Sequence, residues 1–122
     1  MPYAEWKGQS IFYLEVAPPH HEGTILCLHG AGGRSRHFAY QLSLAQELNR
    51  RVIALDLPGH GHSGGKPLPT IDDYAGFVQD FIVRLALSPV SFIGHSMGSA
   101  VALTVAAANP ATAGRFRLPT GA

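Results

Sequence analysis

Residues 90–100 read Val90-Ser91-Phe92-Ile93-Gly94-His95-Ser96-Met97-Gly98-Ser99-Ala100, VSFIGHSMGSA. An apolar run stops at a serine that has a glycine two residues to either side, and a small-residue helical pattern follows at once. A strand-to-helix turn sharp enough to hold a hydroxyl clear of the backbone strains its serine. It leaves no room for side chains two residues away, so the spacing G-x-S-x-G is a steric requirement. The helix behind it directs its first N–H groups and positive dipole end at any oxyanion formed beside Ser96. An ordinary turn serine is the alternative. The placement between PVSFI and MGSAVALTVAAAN favours the strained corner.

Working outward, Ile11 to Val16 is strand-like, and Thr24 to Leu28 (TILCL) is a short apolar run of the kind buried on both faces of a sheet. After HGAGGRS, with Ser35 placed to cap it, a helix is predicted from about Arg36 to Asn49, with Phe38, Leu42, Ala45 and Leu48 at helical spacing. Val52 to Leu55 is a second buried strand, followed by the turn-rich DLPGHGHSGGKPLP. Thr70 and Asp73 form a capping box for a helix carrying Tyr74, Val78, Phe81 and Ile82 on one face. Val90 to Ile93 is the third apolar strand, and a helix from Met97 to about Asn109 ends before Pro110. The alternation predicts an α/β fold, a mostly parallel sheet with helices on both faces, as one domain over residues 1–122. All three Gly/His-rich loops then fall at the carboxyl ends of strands, where such sheets bind ligands.

Three stretches in this order, LHGAGG, DLPGHGHS and GHSMG, resemble the α/β-hydrolase family of esterases, lipases and related acyl hydrolases, over residues 5 to 110. The resemblance implies Ser96 as nucleophile, with the backbone N–H groups of Met97 and Ala31 as oxyanion donors. It implies a small-molecule acyl substrate and neither cofactor nor metal. Serine rather than aspartate at the corner disfavours the dehalogenase and epoxide-hydrolase branches.

The family's triad runs Ser, then Asp or Glu, then His. No Asp, Glu or His follows Ser96, so the chain looks like the N-terminal half of the fold, a truncated α/β-hydrolase. The basic stretch GRFRLPTGA stands where another buried strand belongs. His29 and His60 are expected to hold their own loops through backbone hydrogen bonds, and His95 to point away from proton relay. Asp56, Asp72, Asp73 and Asp80 are expected as turn and helix-surface residues. If the family's strand order holds, Val90–Ile93 lies at an open sheet edge, which predicts self-association or a complementing half pairing there.

Composition narrows the class. With 46% hydrophobic and 14% charged residues, much of the chain is expected to be buried. A net charge of +1 gives no case for nucleic acid. No run is long enough for a membrane span, and a soluble, cytoplasmic protein is the expectation. The lone Cys27 reads as a buried core thiol. Two other readings stand beside the hydrolase. One is a non-catalytic fragment or binding module. The other is a dinucleotide-binding domain, in which GAGGRS holds a pyrophosphate and Asp56 a ribose hydroxyl.

Overall fold

The computed structural model describes residues 3–108 and the strand Ala113–Arg117. Six strands, β1 (Tyr3–Trp6), β2 (Gln9–Val16), β3 (Thr24–Leu28), β4 (Arg51–Leu55), β5 (Val90–Gly94) and β6 (Ala113–Arg117), form one sheet in the order β1-β2-β4-β3-β5-β6. β4, β3, β5 and β6 run parallel, whereas β1 and β2 are antiparallel additions at one side. The predicted mostly parallel sheet is therefore present, with a hairpin that the apolar pattern did not announce. Its turn, Lys7-Gly8, has positive φ at both residues (48° and 78°), the geometry that matches strand twist in a tight hairpin.

Alternation along the strands builds two cores. Leu26 and Leu28 of β3 and Ile53 and Leu55 of β4 face one side, beneath α3 (Ile71–Arg84) and α4 (Met97–Ala108). Cys27, Val52 and Ala54 face the other, beneath Phe38, Leu42 and Ala45. Burial pushes the Cys27 thiol up to about 12, so it stays protonated and unreactive. At the start of α3 the Thr70 side chain accepts from the Asp73 N–H (3.0 Å) and donates to the Asp73 carboxylate (2.9 Å), the expected cap. Trp6 closes the hairpin onto α3, its ring 4.9 Å from Phe77 and its Nε1 donating to Asp80 at 3.0 Å.

Three expectations are corrected. The helix predicted over 36–49 is a 3-10 turn (Ser35–Phe38) followed by two short helices, α1 (Ala39–Ser43) and α2 (Ala45–Leu48). Ser43 Oγ donates to the Tyr40 carbonyl (2.5 Å), a side-chain competition that interrupts the helical ladder near Leu44. Ser35 is not the cap. It lies inside the turn, and its N–H is held from outside by Asp56. Finally, Val90–Ile93 is not an open edge, because β6 pairs with β5 in parallel, Phe116 opposite Phe92 and Arg117 opposite Ile93. Ladder bonds come from the backbone, so a basic strand pairs as an apolar one does, and the outermost position passes to β6. The tail beyond Arg117, including Pro119, lies outside the described residues, as do Asn109 and Pro110.

Two glycines make the seating of α4 testable. Gly76, exposed in α3, has open space where a Cβ would stand, so Gly76→Ala should stabilise the fold by about 1 kcal/mol. A Cβ on Gly98 in α4 would come within 2.0 Å of the Leu28 carbonyl oxygen. Gly98→Ala should therefore lose roughly 2 kcal/mol or more despite the better helix former. Denaturant unfolding of both variants decides it; a Gly98→Ala protein as stable as the original would show that α4 is not seated on β3.

Candidate functional site

The loops after β3, β4 and β5 meet at the carboxyl ends of the strands. Ser96 occupies the corner between β5 and α4 with φ of 56°, a left-handed conformation that a non-glycine residue adopts only under constraint. The constraint comes from both sides. A Cβ on Gly94 would stand 2.6 Å from Ser99 Cα, and one on Gly98 would strike Leu28 as described. Backbone bonds from His95 N to the Leu28 carbonyl (3.0 Å), Gly98 N to His95 O (2.9 Å) and Ser99 N to Ser96 O (2.9 Å) complete the turn. Ser99 Oγ donates back to the Gly94 carbonyl at 2.6 Å. The Met97 N–H, first in α4, has no hydrogen-bond partner among the described residues.

The loop after β3 lies directly against this corner. A methyl group on Gly30 would come within 3.0 Å of Ser96 Cβ and 3.5 Å of Ser96 Oγ. Ala31, next along, is exposed, and its N–H is likewise without a partner among the described residues. The structure thus sets Ser96, open to solvent and next to Met97, against the loop that carries Gly30 and Ala31.

Two buried polar side chains hold the loops in register. Asp56, fully buried at the end of β4, accepts from Ser35 N (2.6 Å) and His62 N (2.8 Å). It is therefore a turn residue, as expected, but one buried inside the protein as an organising carboxylate. Gly61 has no side chain because a Cβ there would meet the Asp56 carboxylate at 2.3 Å. This also removes the dinucleotide reading. The amide at the first turn after GAGG is already taken by a carboxylate, and the acid is not free for a ribose. His29, equally buried, bonds Gly30 O through Nδ1 (2.7 Å) and receives the Leu57 N–H at Nε2 (3.0 Å). His60 places Nδ1 3.1 Å from the Pro58 carbonyl and its ring 5.0 Å from that of His29. Both histidines hold loops, as expected.

A cavity of about 280 Å³ opens beside the corner, lined by His29, His37, Phe38, Gln41 and His95. A larger one, about 590 Å³, lies at the amino ends of β3 and β5, away from Ser96. His95 is exposed on the rim of the smaller cavity.

Fold and motifs together define an α/β hydrolase, and the comparisons agree. The profile described as "Alpha/beta hydrolase family" matches residues 25–121, and the chain belongs to that family. It is 40% identical over 111 residues to the dihydrolipoyllysine-residue acetyltransferase component of the acetoin cleaving system of Pseudomonas putida, covering 88% of this chain and 29% of that protein. It is 32% identical over 99 residues to a putative esterase/lipase 2 of Mycoplasma pneumoniae, covering 80% of this chain and 36% of the relative. A solved carboxylesterase structure from Nitrososphaera gargenis superposes with a TM-score of 0.86 at 23% identity, over 96% of this chain and 44% of that one. The chain thus spans less than half the length of each of these proteins. Among the described residues, no helix is long and apolar enough to cross a membrane.

The buried imidazole of His29 gives the site a pH dependence of known sign. Burial lowers its pKa from the ordinary 6.5, with the nearby His60 and His37 acting in the same sense and Gly30 O and Asp56 opposing. The unfolded chain therefore binds a proton below pH 6.5 that the folded one refuses. The contribution to stability is complete above pH 6.5 and is lost progressively as the pH falls below it. Unfolding free energy measured from neutral to mildly acidic pH should show this decline and a shallower one in His29→Asn; equal slopes would contradict it.

Proposed function

We propose that this chain carries the nucleophile and the oxyanion donors of a serine hydrolase acting on ester-like acyl substrates. The observation that carries the reading is Ser96, held at φ of 56° by two obligatory glycines and packed against the Gly30 loop. Ser96 Oγ attacks the acyl carbonyl carbon and its proton leaves to a base. The carbonyl electron pair moves onto oxygen, which the N–H groups of Ala31 and Met97 receive. Collapse of that intermediate expels the alcohol, which takes up a proton, and water then releases the acyl group from Ser96. The likeness to the putative esterase/lipase 2 of Mycoplasma pneumoniae supports ester-like substrates.

The proton acceptor is not among the residues after Ser96, which include no Asp, Glu or His. Of the upstream histidines, His29 is not free to replace it, because both of its ring nitrogens are committed to backbone, and Nδ1 of His60 faces the Pro58 carbonyl. We assign the base and its acid to residues outside this sequence. Without them, oxyanion stabilisation and binding leave a residual ~10³–10⁴-fold acceleration over water. The missing base is also what favours a second reading, a hydrolase-fold piece with no chemistry of its own.

Intact mass after incubation with a fluorophosphonate separates the two. The chain should gain one slow adduct, and Ser96→Ala should gain none. Ser96→Gly should also stay unlabelled, while its unfolding free energy rises by about 1 kcal/mol as the left-handed strain is relieved. No adduct on folded protein, or an adduct that persists in Ser96→Ala, removes the catalytic reading.

A further inference from the structure

His29 is more than a loop staple. The Leu57 N–H can only donate, so the ring nitrogen it meets, Nε2, carries no proton. The proton of the neutral ring therefore sits on Nδ1, which donates to the Gly30 carbonyl at 2.7 Å. That same carbonyl accepts from Gly33 N at 2.9 Å. The Gly30 oxygen and the Ala31 N–H belong to one planar trans peptide and point in opposite directions. Two donors clamping the oxygen on the His29 side thereby set the direction of the Ala31 N–H. Gly33 is part of the device: a Cβ there would stand 3.0 Å from Gly30 O and 3.1 Å from His29 Cβ, and would push the loop off the clamp.

We propose that His29 is a positioning residue, whose Nδ1–H, acting through the Gly30 carbonyl, aims the Ala31 N–H at the oxyanion formed on Ser96. The inference rests on the reading of Ser96 as nucleophile. The groups facing the ring are His60, His37 and Asp56, and burial keeps it neutral, with Nε2 free to accept. An imidazolium would set two donors, Nε2–H and Leu57 N–H, against each other, so the tautomer required by the clamp is the one this pocket favours.

Two substitutions divide the ring's functions. Asparagine places an amide N–H near the position of Nδ1 and keeps the donor to Gly30; glutamine reaches the position of Nε2 and keeps the acceptor for Leu57. Fluorophosphonate labelling rates should fall by about 10²-fold in His29→Gln, the loss expected for one oxyanion donor, and be largely rescued in His29→Asn. Unfolding midpoints of both are measured beside the rates. A merely structural histidine would give rates that follow stability, not the retained donor.

Nitrogen-15 NMR of isotope-enriched protein that has not been treated with fluorophosphonate gives a readout that does not depend on Ser96 reacting. The wild-type His29 should show a protonated Nδ1 and a bare Nε2. The Ala31 amide resonance should be kept in His29→Asn and displaced in His29→Gln. If the wild type takes no adduct, the nucleophile reading fails, while the Ala31 resonance still decides the clamp. A proton on Nε2, an Ala31 resonance indifferent to both substitutions, or undiminished labelling of His29→Gln overturns the proposal; the wild-type tautomer decides even where a variant does not fold.

Discussion

The close approach of α4 to β3 is the contact on which the rest depends. Gly98 sits so near the Leu28 carbonyl that a single methyl group is excluded, and His95 N bonds that same oxygen. With the helix start drawn down onto the sheet, the chain between β5 and α4 has only two residues in which to reverse, His95 and Ser96, and Ser96 takes the left-handed conformation. Such a conformation costs of order 1–3 kcal/mol and persists only where its surroundings over-determine it. Here those surroundings are backbone contacts at Gly94 and Gly98, with little freedom to relax. The result is a hydroxyl presented at the sheet end beside the first N–H of a helix.

The second requirement is that loops from three strands agree about where that hydroxyl stands. Asp56 and His29 accomplish this from inside the protein. Each reaches two backbone groups: Asp56 joins the first turn after β3 to the loop after β4, and His29 joins Gly30 to Leu57. Buried polar groups satisfied in this way rigidify, whereas removing one partner leaves the other unpaired at a cost of about 1–3 kcal/mol. Under the proposal above, His29 also sets the direction of the Ala31 amide beside Ser96.

The parts of this arrangement readable in the sequence are those set by local pattern or steric necessity. TILCL, VIAL and VSFI announce buried strands because apolar runs of four or five residues bounded by turn residues are too short for a buried helix. Gly94 and Gly98 announce the corner because only glycine fits there. The unread parts were set by non-local backbone bonding. Nothing in DLPGHGHS says that Asp56 will reach Ser35, 21 residues earlier in the chain, and so replace the cap assigned to Ser35 itself. β6 pairs with β5 through main-chain groups that its basic side chains do not reveal. The Lys7-Gly8 hairpin carried a glycine signal, but lysine at positive φ is an unusual partner for it. His29 was legible as a loop residue; its tautomer, and hence the direction of the Ala31 amide, required the Leu57 contact.

The central claim is that this stretch of chain alone builds the corner and both amide donors. The most direct measurement is a crystal structure of the phosphonylated chain. The phosphoryl oxygen should lie about 3 Å from both the Ala31 and Met97 nitrogens, with Ser96 still left-handed. A phosphoryl oxygen turned to solvent, or a Ser96 relaxed to negative φ, would contradict it.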